Sequence, residues 1–449
     1  MTTLWLILVG SIMLGTRKYI GVFTPGFNEY TSVFLYASEI LALALVWLGY
    51  RRQLLKTDST ISKLLAIFVA TAFVSAVFAP LSGLAGVSAV RIFLLVALAL
   101  VGAKVITTNQ LIFKKTLVVL MLAGVLQSGL ALYQFSTQGP AGLRLLGESP
   151  ISLTDQGTSK ALVAEGRLIR GYGTFPHPNV LSAFLLLGFF AGCYLFINAD
   201  RRLYADLYDT RKTIRENGKL FMVSRWLIYR AVVAVCLFII TLGLGVALSR
   251  AGWIAGGVAL VVFLTASLRV AIRPTLRLLA VVVIAIGATL LLLSPFIFPR
   301  ATVSINEPAV ADRISYNQIA VRILKSHPLG IGAGNQVAFS VADGSYRSAG
   351  FMHAWEWQPI HNLYLLIGAE LGWLGLLSFL GFLAIVVWRI AKTPASYEQV
   401  VTLALLVSLL IFGLADHFLW TLEQGRLMLW VVISLALAVP AIKHSSFNG

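Results

Sequence analysis

Apolar runs of about 20 residues recur along this 449-residue chain, and they constrain its fold more than any other feature. A run of that length crosses the ~30 Å hydrocarbon core of a bilayer as a helix. In hydrocarbon the backbone must satisfy its own polar groups, which a helix does within one segment. The runs lie near 3–16, 31–50, 62–80, 85–106, 113–136, 179–198, 226–249, 252–268, 278–298, 361–388, 398–418 and 427–442. With 58% hydrophobic and 12% charged residues, the chain has too little polar surface for a soluble domain. The expectation is an all-α integral membrane protein of about 12 transmembrane helices, a single polytopic domain over 1–449. No small-residue cleavage site follows the first run, so it reads as a retained span.

The formal net charge of +17 invites a nucleic-acid reading, but its distribution argues for topology. Arg51, Arg52, Lys56 and Lys63 share one short loop, Lys104, Lys114 and Lys115 a second, and Arg269, Arg273 and Arg277 a third. A larger cluster runs through Arg201, Arg202, Arg211, Lys212, Arg215, Lys219, Arg225 and Arg230. Such loops are cytoplasmic by the positive-inside rule, which places both termini inside and leaves no call for a nucleic-acid partner. The stretch RRLYADLYDTRKTIRENGK is amphipathic and suits the inner leaflet among membrane lipids. Cys193 and Cys236 lie inside apolar runs at no metal-binding spacing.

Two loops are long, 137–178 and 299–360, and both fall on the extracytoplasmic side. They mix Gly, Pro, Trp, His and charge, so they read as functional segments. The second is expected to be partly helical, because RISYNQIAVRILKSH carries apolar residues at helical spacing.

The residues with chemical potential gather at this outer boundary. In RLIRGYGTFPHPNVLSAF, Arg170 and His177 sit just above a span, with Pro176 and Pro178 opposing helix and Asn179 available as a cap. The plainer reading is a capped loop at headgroup level. In LSRAGWIAGG, Arg250 opens a helix, where free N–H groups reinforce an anion site; a snorkelling arginine is the alternative. Arg313, Arg322 and Lys325 belong to the loop helix, ahead of Gly330, Gly332 and Gly334. In HNLYLLIGAELGWLG, His361 and Asn362 stand at a helix start after Pro359, where the helix dipole disfavours imidazolium. Gly368, Gly372 and Gly375 give that helix a close-packing face. Asp416, His417, Glu423 and Arg426 read as caps and loop ion pairs, and Glu370 is a possible partner for Arg91.

Taken in order, GTFPHPN, LSRAGW, the R…HPLGIGAG stretch, HNLYLLIGAELGWLG and DHFLW resemble the O-antigen ligase and O-antigen polymerase superfamily. The ligase branch carries His, then Asn, Ser or Gln, nine residues, Gly, two residues, Gly, then Gly, Thr or Tyr. His361, Asn362, Gly372 and Gly375 fit this pattern, and Leu376 departs from it. The resemblance implies a GT-C-like architecture and a glycosyltransferase of the bacterial inner membrane, with an extracytoplasmic active site. Its donor would be a glycan on undecaprenyl pyrophosphate. Its acceptor would be a lipid such as lipid A core, a glycan or a protein. It further implies His361 as the group that activates the acceptor hydroxyl, with Arg250 and Arg313 holding the pyrophosphate. Arg322, Arg170, Asn362 and His177 are the substrate-binding candidates, and no metal or cofactor is expected. A polymerase extending lipid-linked repeats is the alternative within the superfamily. A lipid-glycan transporter is the alternative outside it, although no inverted repeat is visible.

Overall fold

Each of the twelve apolar runs carries a helix, and the helices differ in length. The structure is a computed structural model, described for residues 1–24, 28–55, 59–163, 166–213, 220–301 and 308–442. In chain order it comprises α1 (Thr2–Ser11), β1 (Arg17–Val22), β2 (Ser32–Tyr36), α2 (Ala37–Arg51), α3 (Ser59–Val77), α4 (Ser82–Thr108) and α5 (Leu111–Thr137). There follow β3 (Lys160–Val163), β4 (Gly166–Ile169), α6 (Pro178–Thr213), α7 (Leu220–Val246), α8 (Arg250–Leu268) and α9 (Ile272–Ala301). The remainder is α10 (Pro308–Ser326), α11 (Gln336–Ala342), α12 (Ser345–Ser348), α13 (Leu363–Lys392), α14 (Tyr397–Gly413), α15 (Phe418–Thr421) and α16 (Glu423–Ala438).

Among the described residues, nine helices are long and apolar enough to cross a membrane: α3 to α9, α13 and α16 with its extension to Ala441. The chain is thus a multi-pass helical protein. The other three runs give shorter helices, α1, α2 and α14. The run at 31–50 is shortened because its first residues pair as β2 with β1 in an antiparallel hairpin. A second hairpin, β3 with β4, stands in the 137–178 loop. The amphipathic stretch at 201–219 coincides with the end of α6 and with residues outside those described, as do the side chains of Arg202, Arg211, Lys212, Arg215, Lys219 and Arg225.

Helix α6 is the most enclosed of these spans: an 18-residue window within Pro178–Arg201 is wholly buried, and the helix packs against α5, α7 and α14. Small residues allow this approach, as they must where the hydrophobic effect does not drive helices together. A Cβ at Gly124 of α5 would stand 3.4 Å from the Gly188 Cα of α6. A Cβ at Gly252 of α8 would overlap Ser182 Oγ at 2.0 Å. At the opposite end of α6, the enclosed Asp200 carboxylate accepts from Arg230 (2.8 Å) and Arg277 (2.9 Å), tying α7 and α9 to it.

The glycine face of α13 turns out to be a break. Gly372 has φ +72° and ψ −174°, so the helix is interrupted there. The turn after α10 fills the gap: Ile331 N donates to Ala369 O (3.1 Å), Gly332 N to Glu370 O (2.9 Å), and Trp373 N to Pro328 O (3.0 Å). The freed backbone groups are thereby paired, as they must be at membrane depth. Arg91 does not pair with Glu370. It bonds Glu39 at 2.6 Å, and Glu370 instead accepts from Trp420 Nε1 at 2.7 Å. Glu39 serves twice, because its other oxygen caps the start of α2 through Tyr36 N (3.1 Å).

Candidate functional site

The starts of α6, α8, α13 and α16 and the ends of α7, α9 and α14 meet at one end of the bundle, and the loop helix α10 lies over them. Pro178 is the first residue of α6, a position where its missing N–H costs nothing. His177 supplies the cap expected of Asn179: its Nδ1 accepts from Asn179 N at 3.1 Å. The Asn179 side chain is therefore free for other work. Its Oδ1 accepts from Arg170 (3.1 Å) and Ser249 (2.8 Å), and its Nδ2 donates to Asp416 (2.7 Å). Ser249 also caps α8, accepting from Gly252 N at 3.1 Å. One amide thus joins α6, the α7–α8 turn, the arginine strand and the turn before α15.

Arg170 is buried, donating also to Ala247 O (2.8 Å) and Ser159 Oγ (2.8 Å). Its pKa is pulled down to about 9, first by burial, then by Arg300, with Arg313 and Arg250 adding to the effect. Those guanidiniums are therefore its neighbours, and they make a strongly positive cluster. Arg300, at the end of α9, donates to Leu248 O at 3.4 Å.

His361 precedes α13 and is not part of it. Its ring stacks on Tyr316 (5.2 Å, 24°) and meets His417 edge-on (4.9 Å, 87°). Tyr316 itself stacks on Phe351 (4.5 Å) and donates to Glu356 O (2.5 Å), which fixes the wall on which His361 rests. Arg313 lies three residues before Tyr316, on the same face of α10. The Nδ1 of His361 and the Nε of Arg313 are both buried, and neither has a hydrogen-bond partner among the described residues.

The His361 pKa is lowered to about 3, first by burial and then by His417, with Arg313 and His177 adding to the effect and Asp416 opposing it. Desolvation is the main reason for a neutral ring. His177 is likewise held at about 3 by burial and then by Arg170. Burial works against ionisation of Asp416, but the surrounding imidazoles and the Asn179 amide outweigh it and hold the carboxyl below its usual range. His417 Nδ1 lies 2.7 Å from Thr421 Oγ1, and Asp416 accepts from the His417 backbone N–H at 2.8 Å.

The structure thus brings together His361, Arg250, Arg313, Arg170 and His177. It leaves Arg322 on the exposed side of α10. Asn362 is the cap of α13: its Oδ1 accepts from Tyr364 N and Leu365 N, both at 3.0 Å, and its Nδ2 donates to Leu414 O at 3.2 Å. Sequence reasoning passed over Asp416 and His417 as caps and did not single out Arg300, Tyr316 or the hub role of Asn179. The DHFLW stretch was the visible signal for the first two, and an arginine closing an apolar run after Pro299 was the signal for Arg300. Among the described residues no group of three or more His, Cys, Asp or Glu stands at metal-holding distance.

No protein of curated function matches the chain. Residues 233–380, about a third of it, match the family model described as O-Antigen ligase, a stretch that runs from α7 into α13 and includes Arg250, Arg300, Arg313 and His361.

Proposed function

We propose that the protein is a membrane glycosyltransferase of the O-antigen ligase type. It moves a glycan from undecaprenyl pyrophosphate to an acceptor hydroxyl at the extracytoplasmic face. The observation that carries this reading is the pair of buried, unpartnered nitrogens, His361 Nδ1 and Arg313 Nε, beside a cluster of guanidiniums. The partial family match supports the same class of chemistry.

The unprotonated imidazole of His361 takes the proton of the acceptor hydroxyl as its oxygen attacks the anomeric carbon. The bond from that carbon to the diphosphate oxygen breaks, the sugar inverts, and the diphosphate leaves with its lipid. Arg250 and Arg313 receive the charge that grows on the leaving oxygens, with geometry suited to phosphate. Asp416 steadies the imidazolium formed in the step. The proton transfer is worth about 10²–10⁴ in rate.

His361→Gln should abolish transfer from purified donor lipid while the protein still inserts in the membrane. Turnover at the wild-type rate would reject the base role. Arg250→Ala and Arg313→Ala should raise the KM for the lipid donor, and unchanged donor kinetics in both would remove the clamp. Incubating the enzyme with donor alone separates the two acceptor classes: longer lipid-linked products identify a polymerase, and their absence until a second acceptor is added identifies a ligase.

A further inference from the structure

Behind the histidine pair lies a cavity that leaves about 80 Å³ to the centres of water-sized molecules, room for several, and that shares no lining residue with the arginine cluster. Its walls come from the β1–β2 hairpin, α4, the turn entering α11, and α15 and α16. It touches the reaction centre through two residues. Thr421 lines the cavity and holds His417 Nδ1, and the Tyr30 ring packs edge-on against His417 at 5.7 Å. His417 in turn meets His361, so an occupant of this cavity lies one aromatic layer from the base.

The lining alternates charge and aromatic surface. Arg91 is matched to Glu39 (2.6 Å) and Arg426 to Glu423 (3.3 Å), so neither stands as a bare cation. The side chain of Arg426 is only 11% exposed, and its buried Nε has no hydrogen-bond partner among the described residues. Trp420 and Trp430 supply flat apolar faces beside these groups. With Arg91, Arg426 and Glu29 all matched by opposite charges, the wall offers a bare anion no surplus positive charge. A lipid chain would strip water from the ion pairs and return no hydrogen bond. A molecule with hydroxyls on its edges and C–H faces above and below satisfies both kinds of wall.

We propose that this cavity is a saccharide subsite, holding the acceptor sugar next to the one whose hydroxyl reacts. This rests on the transferase reading, with the diphosphate on one side of His361 and the acceptor glycan on the other.

The test is binding to the full chain in detergent. Glucose, N-acetylglucosamine and glucuronate are followed by saturation-transfer NMR, and pyrophosphate by phosphorus NMR in the same sample. The expected result is saturable binding of at least one of these sugars that pyrophosphate does not displace. Ser88→Phe, which adds bulk to the lining, and Arg426→Lys, which keeps the charge and removes Nε, should each weaken it about tenfold. Pyrophosphate binding should hold in both. Absence of saturable sugar binding, its displacement by pyrophosphate, or sugar binding unchanged in both variants overturns the subsite. Failure of the wild-type chain to bind pyrophosphate strikes the transferase reading instead and leaves the sugar result to stand alone.

Discussion

At His361 the ring is clamped between Tyr316 and the edge of His417, and its proton affinity is set by enclosure. On the proposed mechanism the substrate-free protein should therefore keep its base unprotonated over a wide acidic range. With a pKa of about 3, kcat/KM should stay flat from pH 8 to pH 5, where an ordinary histidine would already be charged. A diphosphate bound beside the ring favours imidazolium, so the acid limb of kcat should lie at higher pH than that of kcat/KM. Rate profiles under saturating and limiting donor check both; coincident limbs near pH 6.5 would contradict this account. The same enclosure has a cost in stability, and its sign follows from linkage. His361 and His177 both have folded pKa values of about 3, below the unfolded value near 6.5. Between those limits the unfolded chain binds more protons, so stability falls as pH drops from 6.5 toward 3. Thermal midpoints in detergent should decline from pH 7 to pH 5 in the wild type and decline less in a His361→Gln, His177→Gln variant. Asp416, held below its usual range, gives up its own contribution only as pH falls through the ordinary carboxylate range, below the interval from pH 7 to pH 5.

Among the elements, α13 carries the most specific demand. Gly372 adopts φ +72°, and a Cβ there would stand 2.3 Å from Pro328 O. Gly372→Ala should therefore destabilise the fold by about 1–3 kcal/mol from backbone strain alone, more with the clash. Gly381→Ala, on the same helix but no closer than 3.7 Å to Leu64, is the control and should leave the melting temperature near the wild type. Equal melting temperatures for both would show that the break is not held by that glycine. Sequence made the helix and its glycines legible, because apolar length and small-residue spacing are local signals. It did not reveal that Gly372 interrupts the helix, since the partner is a turn some forty residues earlier, and non-local pairing leaves no periodicity to read. The same limit explains β2: Ser32–Tyr36 is a short apolar run, and such runs do not distinguish strand from helix without the partner strand. Arg313 and Arg322 differ for a local reason that spacing does carry. Nine residues are about two and a half turns, so one faces the site and the other the exterior.

Across the whole molecule, charge and chemistry separate to opposite ends. Lys104 near the end of α4, Arg269 just after α8, Arg273 in the first turn of α9, and Arg389 and Lys392 at the end of α13 share one end of the bundle. His361, Arg250, Arg300 and Asp416 share the other. Cytoplasmic loops collect Lys and Arg, so the proposed orientation sets the site outside, where the lipid-linked glycan of the proposed reaction would meet it. The orientation is open to direct measurement because both native cysteines, Cys193 and Cys236, are buried and give little background. Leu145, 88% exposed in the loop after α5, and Thr108, exposed at the end of α4, mark the two faces. In intact cells a membrane-impermeant maleimide should label Leu145→Cys and spare Thr108→Cys until the membrane is opened. The reverse pattern would turn the arginine cluster toward the cytoplasm, and with it the acceptor would have to be a molecule made and used inside the cell.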